Sequence, residues 1–235
     1  MINAIKAKKK FGALVEDINF PSNIKHSVDV IKYMYKNVVS EDTFNKSFPK
    51  LMGSSKEMIL KKFDLPDKYL IISPSNSHQK RNILNYRAWD NNKWISLIKN
   101  LEDKIQIVII GNKGEEEFFN KLKPYSSKVI DLVGKTSLVD LIGVISSARA
   151  LVSTDTGTAH IASAVNTEVF ALIGPTPADV TGPYQSPYNK VHIISSNAPC
   201  SPCYKTTVMK ACKDNICMKN ISVKMCEEII TKAIL

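Results

Sequence analysis

Short, unbroken apolar runs alternate with stretches of helical periodicity from residue 69 onward. Six runs, at 69–73, 105–110, 129–132, 150–153, 169–173 and 191–194, are continuous in Leu, Ile, Val, Phe and Ala instead of alternating with polar residues, which predicts strands buried on both faces. Helical patterns fill the gaps at 91–101, 115–122, 138–147 and 158–164. The third places Leu138, Leu141, Ile142 and Ile145 on one face behind Ser137 and Asp140, which are spaced for a capping box. Strand-helix alternation of this kind predicts an α/β fold, a Rossmann-like parallel sheet of about six strands with helices on both faces.

The first 66 residues read differently. Ile24, Val28, Ile31, Met34 and Tyr35 fall on one face of a predicted helix, a polar stretch with Pro49 and Gly53 follows, and no run suggests a strand. A helix without a sheet cannot build its own core. The expected organisation is a helical extension over 1–66 that rests on another body, and a sheet domain over 67–235.

Parallel sheets present ligands at the carboxyl ends of their strands, which directs attention to the loops. These are Ser73-Pro74-Ser75-Asn76, Gly111-Asn112-Lys113-Gly114, Gly134-Lys135-Thr136, Thr154-Asp155-Thr156-Gly157 and Gly174-Pro175-Thr176-Pro177. The fourth is the most informative, because the strand runs through Asp155-Thr156-Gly157-Thr158-Ala159-His160 into a helix of small residues. The free N–H groups of Thr156, Gly157 and Thr158 and the positive end of the helix dipole suit a phosphate. Gly157 leaves room for its approach, and His160 one turn on can donate a proton to the same anion. A plainer reading makes Asp155 an N-cap, Gly157 a turn residue and His160 a solvent-facing side chain.

The segment Val152-Ser153-Thr154-Asp155-Thr156-Gly157-Thr158-Ala159-His160-Ile161-Ala162, with Val169 to Pro175 and Gly182-Pro183 after it, resembles the signature of the heptosyltransferase family of GT-B glycosyltransferases. Leu132 to Leu138 before it, and Cys200-Ser201-Pro202-Cys203, Cys212, Cys217 and Ile221 after it, follow the family's order, so the resemblance runs from about Tyr69 to the end. It implies the carboxyl-terminal half of a GT-B fold, with the turn at Asp155 to His160 holding the diphosphate of an ADP-heptose-like donor. It further implies that Ser73, Ser75 and Arg87, two residues before Trp89, assist, although Lys80 and Arg81 compete with Arg87 as the basic partner. Gly111 and Glu115 match the place where such folds offer a carboxylate to a ribose, with Glu116 and Glu117 as competitors. No cofactor is implied. The acceptor would be a lipid-linked or oligosaccharide glycan of lipopolysaccharide or surface-glycan assembly, and in the family its general base comes from an amino-terminal domain that this sequence lacks. The expectation is a glycosyltransferase of the heptosyltransferase type; the alternatives are a silent nucleotide-sugar-binding module, a subunit whose partner chain brings the acceptor half, or a remnant.

Composition changes the picture little. The net charge of +10 suits a phosphorylated ligand, an anionic membrane surface or nucleic acid, and no nucleic-acid-binding motif accompanies it. Lysines 6–10 precede too short an apolar run for a secretory leader, and no run of membrane-spanning length exists, so the expected place is the cytoplasm, peripheral at the inner membrane. Cys200, Cys203, Cys212 and Cys217 have enough thiols for a tetrahedral metal but not the paired Cys-x2-Cys spacing of common zinc sites, which favours free thiols and no metal.

Overall fold

A computed structural model describes residues 21–76, 85–123 and 128–235; the lysine-rich start, and Lys80 with Arg81, lie outside them. Among the described residues the chain runs α1 (Ser27–Met34), α2 (Glu41–Lys46), α3 (Lys56–Phe63), β1 (Tyr69–Ser73), α4 (Asn91–Leu101), β2 (Gln106–Ile109), α5 (Glu116–Asn120), β3 (Val129–Asp131), α6 (Leu138–Ser147) and β4 (Ala150–Thr154). It continues with α7 (Gly157–Ala164), β5 (Glu168–Leu172), α8 (Ala178–Thr181), β6 (Val191–Ile194), α9 (Thr207–Ala211), α10 (Ile216–Lys219) and α11 (Val223–Ile234). The expected helix over 115–122 is shorter, because Glu115 turns out of the helix to serve as its N-cap residue.

All six strands pair in parallel, in the order β3-β2-β1-β4-β5-β6. The direction of winding reverses between β1 and β4, which opens a crevice at their carboxyl ends. The continuous apolar strands feed two cores, as period-2 geometry demands. Leu70, Ile72, Ile107, Ile109, Val152 and Phe170 point to one face, where α4 and α11 supply Trp94, Leu97, Leu101, Cys226 and Ile230. Tyr69, Ile71, Val108, Leu151, Val169 and Ala171 point to the other, which α3, α6 and α7 cover with Ile59, Val144, Ile145, Ala159 and Ala162. Tyr69 ends its reach in a hydrogen bond from its hydroxyl to the carbonyl of Val144 at 2.7 Å, and burial raises its pKa.

Residues 21–66 rest on the sheet and its helices. Ile59 of α3 is 1% exposed and sits over Gly143 of α6, and Lys62 pairs with Asp140 at 2.6 Å. The first turn of α1 is latched to the loop beyond α8: His26 Nε2 meets the carbonyl of Gly182 at 3.0 Å, Ser27 donates to Val180, and Tyr184 donates to Asp29 at 2.6 Å. Val28 N–H donates to His26 Nδ1, so Nε2 is the protonated nitrogen that donates to Gly182. The expected apolar face of α1 is only partly covered. No residue of α1 is fully buried: Val28 and Met34 are half-buried, and Ile31 and Tyr35 are exposed.

Gly53 allows this docking. A Cβ there would lie 2.6 Å from Ser146 Oγ and 2.8 Å from the Cα of Gly143, and that backbone cannot yield. Gly53→Val is therefore expected to cost about 1–3 kcal/mol by overpacking. Amide exchange in α1 to α3 should accelerate while the sheet stays protected; unchanged exchange would show that this contact does not hold the segment.

Candidate functional site

A cavity of about 390 Å³ lies in the crevice, lined by the loops after β1, β2, β3 and β4. Its ends differ in chemistry. At one, Ser73, Ser75, Thr156, Gly157 and Thr158 contribute hydroxyls and backbone; at the other, Ile110, Leu138, Leu141 and Ile161 form an apolar wall. Asn112 and Lys113 supply amide and ammonium groups between them. Among the described residues no carboxylate and no imidazole lines it.

The polar end is built by α7. Among the described helices of eight or more residues, α1, α3, α4, α6 and α11 each begin on a side chain that accepts from their first turn, whereas Thr156 at the start of α7 makes no such bond. The amides of Gly157 and Thr158 therefore remain free donors at the positive end of the helix dipole, turned toward the cavity. Ser73 and Thr158 share a hydrogen bond at 3.0 Å across the gap between β1 and α7, which fixes both hydroxyls. Gly157 has an ordinary φ, and a Cβ built on it would meet nothing within 4 Å. Its missing side chain keeps the space in front of the helix open and serves no purpose inside the fold.

The remaining expected site residues stand behind or beside the cavity. Asp155 is 6% exposed, and its carbonyl and Oδ2 accept from Arg87 Nη1 at 3.3 and 3.4 Å. Arg87 Nη2 donates to the Tyr204 hydroxyl at 3.3 Å, and its guanidinium lies 5.3 Å from the centre of that ring. Arg87 thus stiffens the turn at Asp155 from the rear. Tyr204 is the residue sequence reasoning missed, since nothing local marks an aromatic so far along the chain as the support of this turn. His160 is solvent-exposed on the flank of α7 and does not line the cavity. Partial desolvation lowers its pKa from 6.5; Asp155 pulls the other way and His26 adds to the lowering.

Glu115 is 5% exposed and lies under the cavity floor. Its Oε2 accepts from Ser75 Oγ and from Asn112 N–H, both at 2.9 Å, and so joins the loops after β1 and β2. Glu115→Ala is expected to cost about 1–3 kcal/mol, since two charge-assisted bonds vanish, and to accelerate amide exchange at Asn112 and its neighbours; unchanged exchange would show that the carboxylate does not hold the two loops together.

Cys203 and Cys217 are buried, and burial with neighbouring cysteines raises both thiol pKa values; burial pushes Cys226 up to about 12. Among the described residues no group of three or more His, Cys, Asp or Glu side chains is arranged to hold a metal ion, and no helix is long and apolar enough to cross a membrane.

The family model for glycosyltransferase family 9 (heptosyltransferase) matches residues 37–213. The chain is 29% identical over 149 residues to lipooligosaccharide heptosyltransferase 2 of Campylobacter jejuni, covering 61% of this chain and 46% of that protein. Its fold is similar to that of the E. coli ADP-heptose lps heptosyltransferase II, with a TM-score of 0.62 at 21% identity over 79% of this chain and 53% of the other. It is also similar to a glycosyl transferase family 9 structure from Veillonella parvula, with a TM-score of 0.69 at 16% identity over 89% of this chain and 60% of the other. The chain spans about half the length of the relatives it matches.

Proposed function

Because the chain belongs to glycosyltransferase family 9, we propose that it carries the donor site of a sugar transferase, which takes a nucleotide sugar of the ADP-heptose kind for lipopolysaccharide core or surface-glycan assembly. One observation carries this reading: the uncapped start of α7, with Gly157 open before it, faces a cavity whose other end is apolar. The diphosphate accepts from the Gly157 and Thr158 amides, from the Thr156 hydroxyl and from the one proton of the Ser73–Thr158 hydroxyl pair that their mutual hydrogen bond leaves free. The base lies against Ile110, Leu138 and Leu141. Arg87 and Asp155 shape the turn, Glu115 ties down the floor, and His160 meets the part of the ligand that extends past α7.

Transfer adds two requirements. Negative charge grows on the departing nucleoside diphosphate, and preorganised amides at a helix start stabilise it without rearranging. The acceptor hydroxyl must lose a proton to a base, and the described residues of the cavity lining contain none. The base and the glycan acceptor then belong to an acceptor-binding half, at the cytoplasmic face of the inner membrane where the net charge of +10 favours anionic lipid. Calorimetric titration with ADP and ADP-heptose, with UDP and GDP sugars as controls, tests the reading. Selective binding of the adenine compounds supports it; equal or absent binding of all four refutes it.

The His160 shift adds a pH dependence. Its pKa lies below 6.5 in the free protein, and a nearby diphosphate favours the imidazolium. Binding then takes up a proton, so affinity for an ADP sugar, whose diphosphate does not titrate in this range, rises as pH falls through the ordinary histidine range. His160→Asn should flatten the slope, whereas a slope that survives the substitution would assign it to another group.

A further inference from the structure

The carboxyl edge of the sheet holds a second cavity, of about 290 Å³, between the loop after β5 and the loop after β6. Its walls are of two kinds. Ile173, Pro177, Ile193 and Pro202 give it an apolar surface, and Thr176, Asp179, Ser195 and Asn197 give it hydrogen-bonding groups. Among the described residues no lysine, arginine or histidine lines it, and it contains a carboxylate, the reverse of the first cavity with its free amides and Lys113.

Those polar groups are largely uncommitted. Thr176 is 6% exposed, yet its hydroxyl finds no hydrogen-bond partner in the protein. A buried hydroxyl without a partner costs about 1–3 kcal/mol, so a ligand that supplied a partner would gain at Thr176. Ser195 Oγ accepts from the Asn197 amide at 3.3 Å and keeps its own proton to donate. Asp179 has a single distant partner, Lys25 at 3.8 Å, with both side chains more than half exposed, so its oxygens are free to accept.

From this arrangement we infer that the second cavity is a carbohydrate subsite, taking the hydroxyls of a neutral sugar on Thr176, Asp179, Ser195 and Asn197 with a ring face against Pro177 and Ile193. The chemistry selects the class. A carboxylate whose one cation is the solvent-exposed Lys25 at 3.8 Å disfavours phosphate, whereas paired donors and acceptors above an apolar surface match a polyol ring. Position agrees: β5 is the immediate neighbour of β4, which leads into α7, and strands are spaced by ~4.8 Å. A sugar in this cavity therefore lies on the same edge as the proposed diphosphate site, and the inference rests on that reading for its place in a transfer reaction. Two sugars share this chemistry, the donor's own and one belonging to the glycan acceptor.

Amide NMR titration of the whole chain tests the subsite, with methyl α-D-mannopyranoside and a free heptose as sugars and inorganic phosphate as the anion. The expected result is a saturable shift of the Thr176, Asp179 and Asn197 signals with the sugars and not with phosphate. Thr176→Val keeps the side chain's shape and removes the unpartnered hydroxyl, so it should fold as well as the parent and weaken the sugar at least about fivefold. Asp179→Asn, on an exposed residue, should weaken it as well. With ADP-heptose added, displacement of the free sugar assigns the subsite to the donor's sugar; continued sugar binding assigns it to the acceptor's. No saturable shift up to about 50 mM sugar, a response to phosphate instead, or sugar binding indifferent to both substitutions would overturn the inference. Sugar binding with no ADP response at Gly157 and Thr158 would sink the nucleotide-sugar reading and leave the subsite standing.

Discussion

Gly157→Val should abolish tight ADP binding while leaving the protein folded. The reasoning needs both halves of the observation at this position. Its backbone has an ordinary φ and a Cβ would meet nothing within 4 Å, so a side chain fits the unliganded fold. Replacing glycine there removes unfolded-chain entropy, and stability should stay level or rise by about 0.4–1 kcal/mol. The valine methyl groups would instead occupy the space in front of the free amides of α7, where the diphosphate accepts. Losing two charge-assisted bonds costs about 3 kcal/mol, roughly a hundredfold in Kd. Gly157→Ala, with a smaller intrusion, should fall between. Parallel urea unfolding and calorimetry separate the two effects: a fall in stability would mean that Gly157 serves the fold, and unchanged ADP binding would mean that the ligand does not approach this turn.

Trp94→Ala should be the most damaging substitution in the core. Trp94 is 0% exposed on α4, packs edge-on against Trp89 with ring centres 4.8 Å apart, and belongs to the core formed with α11. Truncation of a buried tryptophan costs about 3–5 kcal/mol, a large part of the 5–15 kcal/mol that holds a typical domain. Trp94→Phe should cost much less, because the Trp94 indole N–H has no partner to lose. Trp89 Nε1 donates to the Ile221 carbonyl at 3.0 Å, so Trp89→Phe gives up a hydrogen bond as well as volume. Urea midpoints of the three variants should fall in the order Trp94→Phe, Trp89→Phe, Trp94→Ala, from most to least stable. A Trp94→Ala midpoint near the parent's would contradict the packing described for this face.

The sheet was legible in the sequence because its strands are buried on both faces, and double burial leaves a continuous apolar run that survives any detail of packing. Helices α4 and α6 were legible to the residue because each carries its own start signal: Asp90 accepts from the amides of Asn92 and Lys93, and Ser137 and Asp140 close a capping box. The carboxyl-end rule directed attention to the loops, and Ser73, Ser75, Thr156, Gly157 and Thr158 line one cavity. The direction of the other side chains was not legible. Whether Asp155 and Glu115 face a ligand or the protein depends on partners distant in sequence, Arg87 for the one and Ser75 for the other. The exposed flank of α7 where His160 sits was hidden for the same reason. Nor did periodicity foretell the polar contacts of His26, Ser27 and Asp29 at the first turn of α1, while of the apolar stripe Ile24, Val28 and Met34 are half-buried and Ile31 and Tyr35 exposed.

The central claim is that the start of α7 holds a diphosphate, and the most direct measurement follows the amide nitrogen and proton signals of Gly157 and Thr158 as ADP is added. The account predicts that these two signals move downfield and saturate with the calorimetric Kd, and that Gly157→Val removes the response. ADP binding that leaves both signals unmoved, or shifts a distant part of the protein instead, would contradict it.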